Sequence, residues 1–374
     1  MTAVDVRNTR TDLPEGGLHR LSVGPLDTET GGHLPEVELA YETWGTLNAD
    51  GTNAVLVLHA LTGDTHVAAH TEDPSPGWWD ELVGPGCAVD TDRWFVVAPN
   101  IVGGCSGSTG PASPAPDGRP WGSRFPFITL RDAVGVEARL ADHLGIARWH
   151  AAIGGSMGGA RALEWAVSLP DRVAGVGVLA STAHSSAEQI AFAQSQTQAI
   201  RLDPQFNGGD YYGGPQPEAG LGIARRIAHI TYRSAEELAV RFGRGHQGDE
   251  NPFGTPAGER IGRYQVESYL DHQASKLVGR FDANAYLTIT EALMSHDVGR
   301  GRGGAAAALA RFTGRAFVAA VETDRLYLPS ESHELAALLP ARPTVHMIDS
   351  PLGHDGFLVH YGQVAEQLKE ELRL

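Results

Sequence analysis

The feature that most constrains this 374-residue chain is the stretch Ile153-Gly154-Gly155-Ser156-Met157-Gly158-Gly159. In it, Gly-x-Ser-x-Gly stands directly between a strand-like run, His150 to Gly155, and the helical pattern Met157 to Leu169, which Pro170 closes. A serine at such a junction sits on a tight, strained turn, and Gly154 and Gly158 remove side chains that would collide around it. The turn exposes the Ser156 oxygen at the head of a helix, where end amides and the helix dipole favour a nearby anion. The local pattern therefore predicts strands alternating with helices, and an activated serine at the carboxyl end of one strand.

The rest of the chain keeps that rhythm. Ala54 to His59, Trp94 to Pro99, Ala174 to Ala180, Ala316 to Val321 and Thr344 to Ile348 are short apolar runs of the kind that form a buried parallel sheet. Glu36 to Thr43 alternates with the period of a half-exposed strand and is expected at an antiparallel edge. Between about Thr182 and Ser295 the rhythm breaks. Helical patterns replace it at Ala187 to Arg201, Leu221 to Tyr232, Ala235 to Phe242 and Arg263 to Leu277. The simplest organisation is a mobile tail over 1–16, an α/β core over 17–182 and 296–374, and a helical cap over 183–295. The cap lies over the carboxyl ends of the strands, where open α/β sheets bind ligands.

Composition narrows the function. A hydrophobic content of 42% supports a large core, and no apolar run approaches the roughly 20 residues of a membrane span. The opening segment is polar, carries both charge signs and lacks a signal-peptide core. With only Cys87 and Cys105, no disulfide framework or metal site is visible, so a reducing cytoplasm is the expected compartment. A net charge of −16 argues against nucleic acid or an anionic membrane as partner. Any phosphorylated ligand then needs a local basic patch, for which Arg300 and Arg302 in the Gly299 to Gly304 stretch are one candidate and a solvated loop the alternative.

A serine hydroxyl is a weak nucleophile and needs a base, which in turn needs an orienting acid. In the α/β-hydrolase fold, to which such an elbow points, these follow the serine in the order acid, then histidine. His354, after the last strand run in Ser350 to Phe357, is placed to be the base. Asp324, after Ala316 to Val321, is the best-placed acid, with Glu322 as a rival closer to the strand. The oxyanion hole should use the backbone N–H groups of Met157 and of Leu61, in the loop His59 to Gly63. His59, at a strand end, and His346, inside a strand, read as structural.

Several stretches in sequential order resemble homoserine O-acetyltransferases: Leu58 to Gly63, Pro76 to Asp80, Asn100 to Pro111, Trp121 to Pro126, Gly154 to Trp165, His229 to Arg233, Arg280 to Asp282 and Ser295 to Gly304. The glycine-rich part of the Asn100 stretch lacks the ending of a P-loop. The resemblance runs from about Gly31 to the C-terminus. It implies an α/β-hydrolase fold with a cap inserted between two strands, and a two-step transfer in which acetyl-CoA acylates Ser156 and L-homoserine accepts the acetyl group. It carries the roles of nucleophile, acid and base onto Ser156, Asp324 and His354, and substrate-binding positions onto Arg225 and Asp355. Arg and Asp suit a zwitterion, one cation for its carboxylate and one anion for its ammonium; motif register alone favours Arg225 over Arg226. The resemblance further implies a homodimer through the cap helices and acetyl-CoA as co-substrate, with no bound cofactor or metal. Succinyl-CoA as donor, serine as acceptor, plain ester hydrolysis and a non-enzymatic receptor remain the alternatives.

Overall fold

The computed structural model describes residues 17–254, 258, 260 and 262–374. The tail expected over 1–16 lies outside the described residues. Eight strands form one sheet: β1 (His19–Ser22), β2 (Glu38–Trp44), β3 (Ala54–Leu58), β4 (Phe95–Pro99), β5 (Ala151–Gly155), β6 (Gly175–Leu179), β7 (Arg315–Val321) and β8 (Val345–Ile348). Their spatial order is β1-β2-β4-β3-β5-β6-β7-β8. β2 pairs antiparallel with both neighbours, and every other pairing is parallel.

The central strands are buried on both faces, which is why they read as continuous apolar runs. Alternate residues feed two different cores. Leu56 and Leu58 of β3 join one cluster with Leu140 and Leu163, on helices α1 (Leu130–Leu144) and α2 (Met157–Ser168). Val55 and Val57 join the other with Trp79, Phe357 and Leu368. The stretch read as a half-exposed edge strand is different: β2 is buried almost throughout, because β1 covers its outer side. Helix α1 escaped the sequence reading although Thr129 and Asp132 form a capping box at its start.

After β6 the chain enters the helical segment: α3 (Ala187–Arg201), α4 (Glu218–Tyr232), α5 (Ala235–Phe242), α6 (Gln265–Val278) and α7 (Ala283–Met294). Four of these helices match the helical patterns. α7 does not, because Tyr286, Thr288, Ile289 and Thr290 carry little intrinsic helix preference and packing decides in their favour. The chain then returns through α8 (Ala305–Leu309) to β7. α9 (Pro329–Leu338) leads to β8, and the short α10 (Gly356–Val359) and α11 (Ala365–Leu372) complete the fold.

A buried ion pair joins the two helices under the sheet centre. Arg161 of α2 donates through Nε to Glu137 of α1 at 3.0 Å, and Trp165 Nε1 donates to the other carboxylate oxygen at 2.7 Å. Both charged side chains are essentially solvent-free. Glu137→Leu should therefore lower the unfolding free energy by about 3–5 kcal/mol, since it strands Arg161 without a counter-charge. The double variant Glu137→Leu/Arg161→Met should regain much of that loss, as measured by urea unfolding.

Candidate active site

The elbow takes the conformation its sequence demands. Ser156 has φ 55° and ψ −124°, and α2 begins at the next residue. Gly158 passes so close to β3 that a Cβ there would stand 2.0 Å from the Leu58 carbonyl oxygen. Gly154 meets Gly158 in the same way, at 2.4 Å. Only glycine allows β5, the turn and α2 to nest against β3, and that nesting fixes where the serine oxygen points.

The acid and the base approach from two neighbouring loops. Asp324 follows β7, and one of its carboxylate oxygens accepts the backbone N–H groups of Leu326 and Tyr327 at 2.8 and 2.9 Å. The other lies 2.6 Å from His354 Nδ1. Thr323 ties the two loops together: its hydroxyl donates to the Ser350 carbonyl at 2.6 Å and accepts the Gly353 N–H at 3.0 Å. Glu322, the rival acid, is not at this junction; its backbone N–H continues the pairing with Ile348. The imidazole of His354 lies among three aromatic rings, with centroids at 5.0 Å (Tyr327, stacked), 5.2 Å (Phe357) and 5.8 Å (Tyr232). Burial by itself favours the neutral ring, but the Asp324 carboxylate outweighs it, so the His354 pKa lies above its ordinary value.

His59 is the counter-example among the histidines. Its Nδ1 is 2.7 Å from the Ala60 carbonyl and its Nε2 accepts the Ile101 N–H at 3.1 Å, so the ring pins the loop that carries Leu61. Burial, with help from the Arg161 guanidinium, pushes its pKa down to about 3 and keeps it neutral. Among the described residues no backbone acceptor takes up the Leu61 or the Met157 N–H. His346 is structural as expected, stacked on Phe317 and paired with Glu371 at 2.7 Å.

Ser156 and Leu61 line a narrow cavity of about 60 Å³. Phe192, Gln196, Tyr232 and Leu293, from α3, α4 and α7, cover it. On the other side of the Leu61–Gly63 loop is a wider cleft of about 570 Å³, lined by Thr62, Asp64, Trp78, Arg225 and Arg280. Arg225 thus faces this cleft, where its Nη1 meets the Thr62 hydroxyl at 3.3 Å and its buried Nε has no partner. Arg226 is turned outward and pairs with Asp271 at 2.8 Å, so the structure separates two residues that the sequence left equivalent. Asp355 lines neither cavity. It pairs with Arg233 at 3.2 Å, and burial raises its pKa although Arg233 and His354 counteract this. Arg233 and Arg280 both fall inside motifs that carried the resemblance, but nothing in the sequence assigned them a contact.

The Arg300 and Arg302 patch requires correction. Arg300 forms two bonds to Glu29, at 2.7 and 2.8 Å, and Arg302 binds Glu164 and the Ser168 hydroxyl. These guanidinium groups brace the core and are not held open for a phosphate. Among the described residues one group, Glu42, His66 and His70, brings metal-ligand atoms within 4.8 Å of one another. However, both rings already contact the Glu42 carboxylate, His66 at 3.0 Å and His70 at 3.1 Å, and His70 also meets the Asp73 and Gly17 N–H groups, each at 3.2 Å. These bonds make the cluster a hydrogen-bonded support for its loop.

An elbow serine beside an acid–histidine pair can perform acyl transfer, and the comparisons with known proteins narrow it further. Residues 53–361 match the α/β-hydrolase fold family. A homoserine O-acetyltransferase of Thermobifida fusca (strain YX) is 59% identical over 93% of this chain and 91% of its own length. This chain belongs to the homoserine O-acetyltransferase family. The family is one of acyltransferase enzymes, and its fold is shared more widely. The crystal structure of homoserine O-acetyltransferase from Bacillus anthracis superposes with a TM-score of 0.89 at 26% identity, covering 97% of this chain and 99% of that one. Esterase E22 superposes almost as well, with a TM-score of 0.87 at 26% identity over 96% and 100% of the two chains. Backbone shape therefore does not separate transfer from hydrolysis, and the side chains around Ser156 must.

Neutral His354 is the form able to take a proton, so kcat/KM should rise with pH through a pKa above the ordinary 6.5 of the ring. Asp324→Asn should move that acidic limb downward and cost roughly 10⁴-fold in rate. Both effects are read from the pH–rate profile.

Proposed function

We propose that this protein transfers the acetyl group of acetyl-CoA to the hydroxyl of L-homoserine through an acyl-Ser156 intermediate. The observation that carries the reading is the His354–Asp324 pair at 2.6 Å, with Tyr327 stacked on His354 and lining the same narrow cavity as the elbow serine. With Nδ1 turned to Asp324, His354 Nε2 is left to take the Ser156 proton. The serine oxygen attacks the thioester carbon, and the oxyanion is held by the Leu61 and Met157 amides. The carbon–sulfur bond then breaks, and the sulfur leaves as free CoA with the proton from His354. In the second half His354 takes the homoserine hydroxyl proton, that oxygen attacks the acyl carbon, and Ser156 recovers its proton as it departs.

Recognition of the zwitterion falls to Arg225 for the carboxylate and Asp355 for the ammonium. The unpartnered Arg225 Nε supports the first assignment, because a buried donor without an acceptor is costly unless a ligand supplies one. The Arg233 pairing at 3.2 Å favours the charged form of Asp355 against its burial, the form an ammonium would need. The helices between β6 and β7 act as a lid that keeps water from the acyl-serine. No permanently bound cofactor or metal has a step to perform in this scheme. Exposed Ile190, Ile223, Ile230 and Val240 on α3, α4 and α5 favour a homodimer through the cap, and the free thiols Cys87 and Cys105 suit a reducing cytoplasm.

Release of thiol from acetyl-CoA should depend on L-homoserine, and intact-mass measurement without acceptor should find an acetyl adduct that Ser156→Ala abolishes. Release supported only by succinyl-CoA, or only by serine, would keep the chemistry and change the substrate. Ester cleavage with no acceptor-dependent thiol release would establish a hydrolase instead. Arg225→Gln should raise the KM for homoserine roughly 10- to 100-fold while the acylation half-reaction stays near its parent rate.

A further inference from the structure

A donor that carries phosphate groups meets an electrostatic obstacle at this protein. The chain has a net charge of −16, and acetyl-CoA is itself a polyanion. Binding therefore needs an accessible cation that the protein's own acids do not already neutralise. Arg300 and Arg302 are held by Glu29 and Glu164. Arg226 on α4 is held by Asp271, and Arg233 just past the end of α4 by Asp355.

The wide cleft of about 570 Å³ supplies what those four arginines do not. Arg280, in the turn between α6 and α7, lines it and is exposed. Its Nη2 donates to the Thr62 backbone carbonyl at 2.9 Å, and among the described residues it forms no ion pair. A neutral carbonyl orients the guanidinium and leaves its charge uncompensated. Arg225 approaches the same residue through the Thr62 hydroxyl, so two positive charges converge on one loop. Two acids also line the cleft, but each carboxylate is engaged by its own loop. Asp64 accepts the His66 N–H at 3.1 Å, and Asp73 accepts the Ser75 N–H and hydroxyl at 3.0 and 2.6 Å. The cleft adjoins the reacting serine, because Thr62 follows Leu61 and Leu61 lines the cavity of Ser156. Its volume is in the range that holds a drug-sized ligand, far more than a four-carbon amino acid fills.

We propose that the wide cleft is the docking site for the nucleotide end of acetyl-CoA, and that Arg280 contacts its phosphate groups. The proposal rests on the acetyl-CoA reading above. The guanidinium fork offers paired N–H groups to phosphate oxygens, and its exposure lets the rest of the phosphate keep its water. From there the thiol arm runs past the Leu61–Gly63 loop to Ser156. Arg225, which is less exposed, remains for the acceptor carboxylate. No bond forms or breaks at Arg280, so its effect falls on the KM of the donor.

Arg280→Gln removes the charge and keeps a side-chain donor for Thr62. The KM for acetyl-CoA should rise roughly 10-fold, with kcat, the KM for homoserine and the thermal midpoint close to the parent values. S-acetylpantetheine, a thioester without phosphates, should show the same KM with both proteins, and Arg280→Lys should fall between parent and Gln variant for acetyl-CoA. Calorimetry with adenosine 3′,5′-bisphosphate, which has neither thiol nor acyl group, should find binding to the parent that weakens roughly 10-fold in Arg280→Gln. An acetyl-CoA KM within twofold of the parent would overturn the proposal, as would a parent that does not bind the bisphosphate. An equal rise for S-acetylpantetheine would also overturn it, making Arg280 a prop for the Leu61 loop, and a rise confined to homoserine would make it an acceptor contact instead. A parent that releases thiol from no acyl-CoA would reject the donor reading itself and the proposal with it, so the two failures are distinguishable.

Discussion

Everything at the site depends on the close approach of α2 to β3 at Gly158. A side chain there would collide with the Leu58 carbonyl oxygen, so the helix can begin where it does only because Cβ is missing. That contact holds Ser156 at a positive φ, which few non-glycine residues adopt unless the surroundings over-determine it. The surroundings here are the buried strands on either side of β5 and a helix whose residues are buried from Met157 to Val167. The same packing presents the Met157 N–H beside the loop that carries Leu61, so Ser156 and the two amides proposed as oxyanion donors are positioned by one piece of backbone geometry.

Electrostatics then divide the histidines by their partners. His354 and His59 are both buried, and burial pushes both toward the neutral form. A carboxylate at 2.6 Å reverses the shift for His354, whereas the guanidinium of Arg161 deepens it for His59. In the proposed mechanism the first ring serves as the base, while the second is a rigid neutral strut for the loop that carries Leu61. Arg161 therefore has two effects. It balances Glu137 between α1 and α2, and it keeps the strut uncharged.

The helical segment decides what this machinery is exposed to. The loop carrying His354 packs directly against the end of α4: a Cβ on Gly353 would stand 2.6 Å from the Tyr232 carbonyl oxygen, and the Ser234 hydroxyl donates to the Pro351 carbonyl. The cap is thus anchored on the base loop, and α4 delivers Arg225 from its body and Arg233 just past its end. A chain with net charge −16 nevertheless gathers Arg225, Arg233 and Arg280 near one site. Such local inversion suits anionic groups on small substrates, while the wider surface still repels polyanions. An esterase with nearly the same backbone shows why this lining, and not the fold, carries the distinction between acyl acceptors.

Much of this was legible in the sequence because it is local. Gly-x-Ser-x-Gly has one steric solution between a strand and a helix, the sheet strands read as apolar runs because both faces are buried, and the order serine, acid, histidine followed from topology. Ser156, Asp324 and His354 could be proposed as a set for that reason, and Leu61 and Met157 from the loops they occupy; the structure pairs Asp324 with His354 and sets Ser156 on the elbow. What depends on tertiary contact was not legible. Sequence spacing could not say that Arg225 points inward while Arg226 pairs with Asp271, that Asp355 already holds Arg233, or that Arg300 and Arg302 are consumed by Glu29 and Glu164. Backbone sterics are written residue by residue, whereas the partner of a side chain is chosen by whatever the completed fold brings within reach.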